Sequence, residues 1–349
     1  MSRYAGIVGT IFGAVFVAVG CSPVPLPSGA GVGSPALTQP TRTALIDRGP
    51  FLYIGGSKIS MYRLGSTKPM RTVSSSLGAN VFALDSAGEL LAGSGSISWG
   101  ALTVYDARTL GLIRTDTGID GTSALAVDAQ DYVYDATCGG AITVFTPGVS
   151  KIVGEIRRGA RSVCSMGFDG SGALYAANVG AHSVSVLVST GRPGKWRLER
   201  RIGQGTNYPK HILVKPSGRL FVANNDSVSV YAPGSSSPER VIRNGIERAT
   251  AVAVDSKGRL YVASSPFTNK QGFLPGWISV YAPGQTQPLR KITDGVDVPS
   301  SLAIDPNDNL YVADSYGDAV TAYSGASGKL LYAIKRGVSF PSVVLVASP

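Results

Sequence analysis

His182 and His211 are the only histidines in the chain, so a metal site built on three imidazoles is excluded. Either one is a candidate general acid or base near neutral pH, with Lys210, adjacent to His211, placed to stabilise an oxyanion. The sequence contains no Gly-x-Ser-x-Gly, no paired-cysteine metal motif and no phosphate loop, which removes nucleophile-elbow, zinc-ribbon and nucleotide-phosphate chemistry. Asp305-Pro-Asn-Asp-Asn309 has the oxygen-rich look of a calcium loop. Its position between two apolar strands marks it instead as a turn, which Asp and Asn favour.

These groups must be carried by strands. The 349 residues are 44% hydrophobic and 15% charged, with 44 Gly and 21 Pro, a balance that excludes a disordered acidic chain, a coiled coil and a collagen-like fibre. Lys and Arg outnumber Asp and Glu by 32 to 22, so anionic surfaces or acidic partners are compatible. One pattern recurs: an alternating apolar strand, Asp-x-x-Gly, a Leu-Tyr-Val-Ala strand, a Val-Ser-Val-Tyr strand, then Pro-Gly and a basic-apolar strand. Ala253 to Ala263 and Ala303 to Ala313 are two copies of its first half. Second strands begin at Leu52, Leu90, Tyr132, Leu174, Leu220, Leu260 and Leu310, a mean spacing of 43 residues. Four short strands per such period predict a β-propeller blade. Gly88, Gly172, Gly218 and Gly258, with Asp131 and Asp308, stand where the hairpin turn needs positive φ. Pro50 stands there in the first repeat and cannot adopt that conformation. The fold class is therefore all-β: a seven-bladed propeller of four antiparallel strands per blade, closed by the C-terminal strand Ser342 to Ala347, with a six-bladed ring as the alternative.

Asn80, Ser123, Cys164, Lys210, Thr250, Ser300 and Ser342 fall at the starts of the inner strands, a ring of polar side chains without a carboxylate. A hard-cation site wants two or more acids there, so neither a metal nor another cofactor is expected. Lys210, His211, Asn178 and Asn224 lie on the same face and are candidate binding residues. Blade 6 adds a long loop from Ser265 to Gly276 with Phe267 and Phe273 beside Trp277, either a sugar-stacking platform or a packed cap. Nine basic residues between Arg157 and Lys210 face only Asp169 and Glu199. They either keep an edge strand from pairing or dock on anionic lipid or polysaccharide.

The Asp-x-x-Gly-x-Leu-Tyr-Val-Ala repeat resembles NHL and YVTN-type propellers from Phe51 to Ala347. That resemblance implies ligand or protein binding, lactone hydrolysis, or ring opening of the kind streptogramin lyases perform. The lyase histidine aligns with Lys210 rather than His211, and a one-residue slip reverses the face of a strand.

At the N-terminus, Arg3 precedes an uncharged run to Val19, too short for a comfortable membrane span. Ala18-Val19-Gly20-Cys21 resembles a bacterial lipobox, which implies a signal peptide over 1–20, acylation of Cys21 and export to the cell envelope, at the outer membrane or cell surface. An ordinary secretory signal or an uncleaved anchor are the alternatives. Residues 21–41 carry Pro23, Pro25, Pro27, Pro35 and Pro40 and read as a tether, leaving 42–349 as one propeller domain. With Cys21 assigned to lipid, Cys138 and Cys164 remain, on one face of adjacent blades, and a disulfide is expected in an oxidising compartment. The resulting expectation is a lipid-anchored monomer that binds a protein, small molecule or saccharide on its channel face without catalysis. A propeller lyase or lactonase is the alternative. An exported chain without a recognition motif gives no reason to expect nucleic acid.

Overall fold

Positive φ at a few turns sets where each strand begins. Gly88, Gly172, Gly218 and Gly258 lie at φ 80°, 81°, 82° and 76°, and Asp131 and Asp308 at 61° and 62°, so the six hairpins expected from sequence form at the residues named for them. A computed structural model describes residues 49–75, 77–96, 99–137, 140–266 and 275–349. The signal, the tether, Cys21, Cys138, Phe267 and Phe273 lie outside the described residues.

Seven four-stranded antiparallel sheets form the blades. The inner strands of blades 2 to 7 are Val81–Leu84, Thr122–Val127, Val163–Phe168, His211–Val214, Ala249–Val254 and Pro299–Ile304. Each adjoins the next around the ring. Blade 1 is composite. Its inner strand is the C-terminal Val343–Ala347, paired with Phe51–Gly55 from Phe51↔Ala347 to Gly55↔Val343. Four boundaries differ by one residue from the sequence reading: the second strands of blades 1 and 2 start at Phe51 and Glu89 rather than Leu52 and Leu90, the closing strand at Val343 rather than Ser342, and the second strand of blade 3 at Val133, not Tyr132. Its partner register, Val133↔Phe145, matches Leu310↔Tyr323 in blade 7. Tyr132-Val-Tyr alternates aromatics in either register, so composition alone could not choose.

The core is divided among the blade junctions. Between blades 4 and 5, for example, Tyr175, Val184, Val186 and Ile202 pack on Ile212, Leu220, Val222 and Tyr231. Fully burying one such side chain contributes about 1.5–3 kcal/mol.

The Ser-x-Tyr of the third strand adds a polar clamp to this packing. Ser229 and Tyr231 donate to the carbonyls of Gly205 and Gln204 in the turn leaving blade 4, at 2.5 and 2.7 Å. Ser279 and Tyr281 do the same to Gly245 and Asn244, and Ser60 and Tyr62 to Gly337 and Arg336. The recurring Val-Ser-Val-Tyr is therefore an apolar strand with two hydroxyls aimed at the preceding blade.

Candidate functional site

The starts of the inner strands surround the channel mouth, and most of their polar side chains are used to join blades. Ser123 Oγ donates to the Val163 carbonyl at 2.6 Å, Thr250 Oγ1 to Pro299 at 2.7 Å and Ser342 Oγ to Ala79 at 2.8 Å. Ser300 Oγ lies 3.3 Å from the Pro341 carbonyl. Each acceptor is the residue just before the ring position of the next blade. In blades 3, 4, 6 and 7 the pairing register shifts at this residue, a bulge that re-aims the side chain out of the ladder.

Blades 4 and 5 differ. Cys164 is a buried free thiol whose Sγ lies 3.8 Å from its own blade's Ser162 carbonyl, and Lys210 is half-buried. The bridge to the next blade is made one residue later. Ser165 Oγ accepts the Ile212 N–H at 3.1 Å, and His211 Nδ1 accepts the Val252 N–H at 3.3 Å. His211 is thus a buried strand-joining residue whose Nδ1 is committed as an acceptor. His182, at φ 48°, sits in the loop after the second strand of blade 4. Its ring meets Tyr208 edge-on at 4.1 Å, and its carbonyl accepts the Thr206 hydroxyl. The two histidines therefore occupy one face in different roles, one in the wall and one on the rim.

Asn178 and Asn224 also hold backbone. Asn178 Oδ1 accepts the Arg161 N–H at 2.7 Å, and Asn224 Oδ1 the Asn207 N–H at 3.0 Å. Asp314 repeats this in blade 7, accepting the N–H groups of Asp297 and Val298. Trp277 Nε1 donates to the Gly245 carbonyl at 2.7 Å, and Lys291 Nζ lies 4.4 Å from its ring centre. Asp305, the suspected calcium residue, accepts the N–H groups of Asn307 and Asn309 at 2.9 and 2.8 Å, so the segment is the expected turn. Among the described residues no cluster of three His, Cys, Asp or Glu is arranged to hold a metal ion.

Cys164 and Lys210 stand at the mouth within electrostatic reach of each other, and Arg248 lies within reach of Lys210. Burial, followed by the nearby Arg248 guanidinium, pushes the Lys210 ammonium down to about 8. Burial pushes the Cys164 thiol up, with Lys210 opposing, so the thiol is kept in its less nucleophilic form. Arg248, at φ 48° two residues before Thr250, was not selected from sequence. The signal was there: Ser162, Tyr208, Arg248 and Phe340 all precede a ring residue by two and all have positive φ. A half-buried ammonium beside a guanidinium makes this part of the mouth electropositive.

A family model described as "SMP-30/Gluconolactonase/LRE-like region" matches residues 169–338. No curated protein matches the chain. Among solved structures, a Lactobacillus plantarum protein is similar at 15% identity and TM-score 0.70, covering 85% of this chain and 99% of its own. A putative 6-phosphogluconolactonase from Bacteroides fragilis is similar at 14% identity and TM-score 0.66, covering 88% and 100%. Another putative 6-phosphogluconolactonase, from Bacteroides uniformis, gives 17% identity and TM-score 0.62, covering 86% and 100%. At such identities the likeness is one of propeller fold.

Proposed function

We propose that this propeller is a ligand-binding protein that takes a small anion, a carboxylate above all, at the channel mouth on Lys210 and Arg248. The observation that carries this reading is the pairing of a half-buried ammonium with a guanidinium where five other blades place hydroxyls, an amide or their bridges. The ligand's carboxylate would accept from both cations, and its non-polar or hydroxylated remainder would lie over the blade 4 and 5 rim near Tyr208. The sequence-derived tether fits a receptor held at the envelope through Cys21. Titration calorimetry with gluconate is the direct test: binding in the micromolar to millimolar range, lost in Lys210→Met, supports the reading, and no heat with the wild type rejects it.

A second reading, propeller lactonase, is favoured by the gluconolactonase-like region and by the names of two similar structures. In that reading Lys210, titrating near 8, takes the proton of the attacking water and returns it to the ring oxygen as the C–O bond breaks, while Arg248 holds the carbonyl oxygen. Glucono-δ-lactone hydrolysis followed by proton release decides between them. Turnover above the uncatalysed rate that disappears in Lys210→Met establishes the lactonase; gluconate binding without turnover leaves the receptor.

A further inference from the structure

The junction between blades 3 and 4 lacks the clamp that blades 1, 5 and 6 make, as does the junction before it, where Phe145 holds the tyrosine's place. Leu187 occupies the place of Tyr231 and Tyr281, as its pairing with Leu174 shows against Leu220↔Tyr231 and Leu260↔Tyr281, and it brings no hydroxyl. Ser185, in the place of Ser229, accepts from Asn178 Nδ2 at 3.1 Å. Neither side chain reaches over the Arg158-Gly159 turn as a donor. Beside this turn a cleft of about 310 Å³ opens, lined by Arg157, Arg158, Arg161 and Arg201 together with Asn178 and Ser183.

Four arginines lining one concavity concentrate positive charge there, which a shared anion would offset. Among the described residues, the ion pair at this rim is Arg157 with Glu155, at 2.8 Å, and the arginine is largely exposed there. Guanidinium presents paired N–H donors in a plane, the geometry that suits the oxygens of a tetrahedral dianion. The floor adds the Ser183 hydroxyl, and the cleft shares none of Cys164, Lys210 or Arg248. We infer that the cleft between blades 3 and 4 is a second binding site, for a phosphomonoester dianion.

The source of the phosphate is either a soluble phosphorylated compound or a lipid headgroup, and the experiment has an arm for each. The full chain is titrated calorimetrically with inorganic phosphate and glucose 6-phosphate, and sedimented with vesicles containing phosphatidic acid. Variants are the exposed pair Arg158→Ser/Arg201→Ser, the control Arg197→Ser on the same outer strand, and Leu187→Tyr, which restores the clamp without changing charge. The site predicts that the double variant weakens binding at least about tenfold, as loss of charged hydrogen bonds does. Arg197→Ser leaves binding unchanged, and Leu187→Tyr, melting as the wild type does, also weakens it. A response confined to the soluble probes assigns a soluble ligand; one confined to vesicles assigns a headgroup. No binding in either arm, equal affinity in the double variant, or an equal loss in Arg197→Ser would overturn the proposal.

Discussion

Thr250, Ser300 and Ser342 each reach from one inner strand to the next, whereas in blades 4 and 5 the bridge has moved wholly one residue along, to Ser165 and His211, a position that blade 7 uses as well, through Ser301. The move has a consequence at the position it vacates. A hydroxyl donating to a neighbouring carbonyl is unavailable to a ligand, but Cys164 and Lys210 have been relieved of that duty. One arc of the ring is therefore structural throughout, and the other separates structure from ligand recognition by a single residue. His211, the residue whose type most suggested catalysis, belongs to the structural half of that division.

The harshest way to break the bridged arc is to remove its last member. Deleting Ser342 to Pro349 takes away the strand that pairs along Phe51–Gly55 and the hydroxyl that reaches Ala79, exposing an unpaired edge and the apolar faces on both sides. The truncated chain is expected to show no cooperative thermal transition by circular dichroism. A transition at the wild-type temperature would mean that blade 1 does not depend on its closing strand.

A pH-dependent weakness lies behind the bridge that Ser123 makes. Asp135 is buried at the junction of blades 2 and 3, and burial pushes its carboxyl up to about 8, with Asp116 and Asp120 adding to the rise. Because the folded pKa exceeds the unfolded one, the folded state holds a proton that the unfolded state releases. Stability therefore falls as pH rises from about 4 to about 8 and levels off above, by at most about 1.4 kcal/mol per unit from this group. Asp135→Asn should flatten the fall, raising the melting temperature at pH 8 by several degrees and much less at pH 5. Parallel pH profiles for the two proteins would exclude this carboxyl as the source.

The blade count, the closure and the ring positions were legible because they follow from period, from turn residues and from the φ lock at Pro50. What the side chains do there was not. The partners of Ser123, His211, Thr250 and Trp277 lie about one blade away in sequence, and a repeat shows which positions correspond but not whether a side chain reaches forward, backward or into solvent. Asn178 and Asn224 illustrate this: polar residues on the channel face, consistent with ligand contact by position, yet engaged by Arg161 and Asn207 backbone. The Arg248 position was hidden for a different reason, and so was the local setting of Arg158, which the sequence shows only as one member of a basic run. Their placement depends on positive-φ loops and on a missing tyrosine, each visible only by comparing all copies of the repeat.

A sharper test sets the two arcs side by side. Ser300→Ala leaves the Pro341 and Ala313 carbonyls short of a donor in a buried setting and should reduce stability by about 1–3 kcal/mol, with little effect on gluconate binding. Lys210→Met should do the reverse, preserving or raising stability because a half-buried ammonium is replaced by a thioether of similar length, while abolishing anion binding. Denaturant melts and calorimetry on the two variants check both halves. If Lys210→Met loses as much stability as Ser300→Ala, the two arcs are not functionally distinct.

The same contrast has a pH signature that requires no substitution to begin with. Lys210 must be protonated to attract an anion, and its ammonium titrates near 8 in the free protein. Affinity for gluconate should therefore be flat below about pH 7 and fall as pH rises through 8, approaching a tenfold loss for each further unit where the bound form keeps its proton. Binding itself should take up a fraction of a proton near pH 8, visible as a dependence of the calorimetric heat on the buffer's ionisation enthalpy. In Lys210→Arg, whose cation does not titrate in this range, the fall should vanish even if the absolute affinity changes. A wild-type affinity that is constant from pH 6 to 9, or a fall that persists unchanged in Lys210→Arg, would assign anion recognition to Arg248 and its neighbours rather than to Lys210.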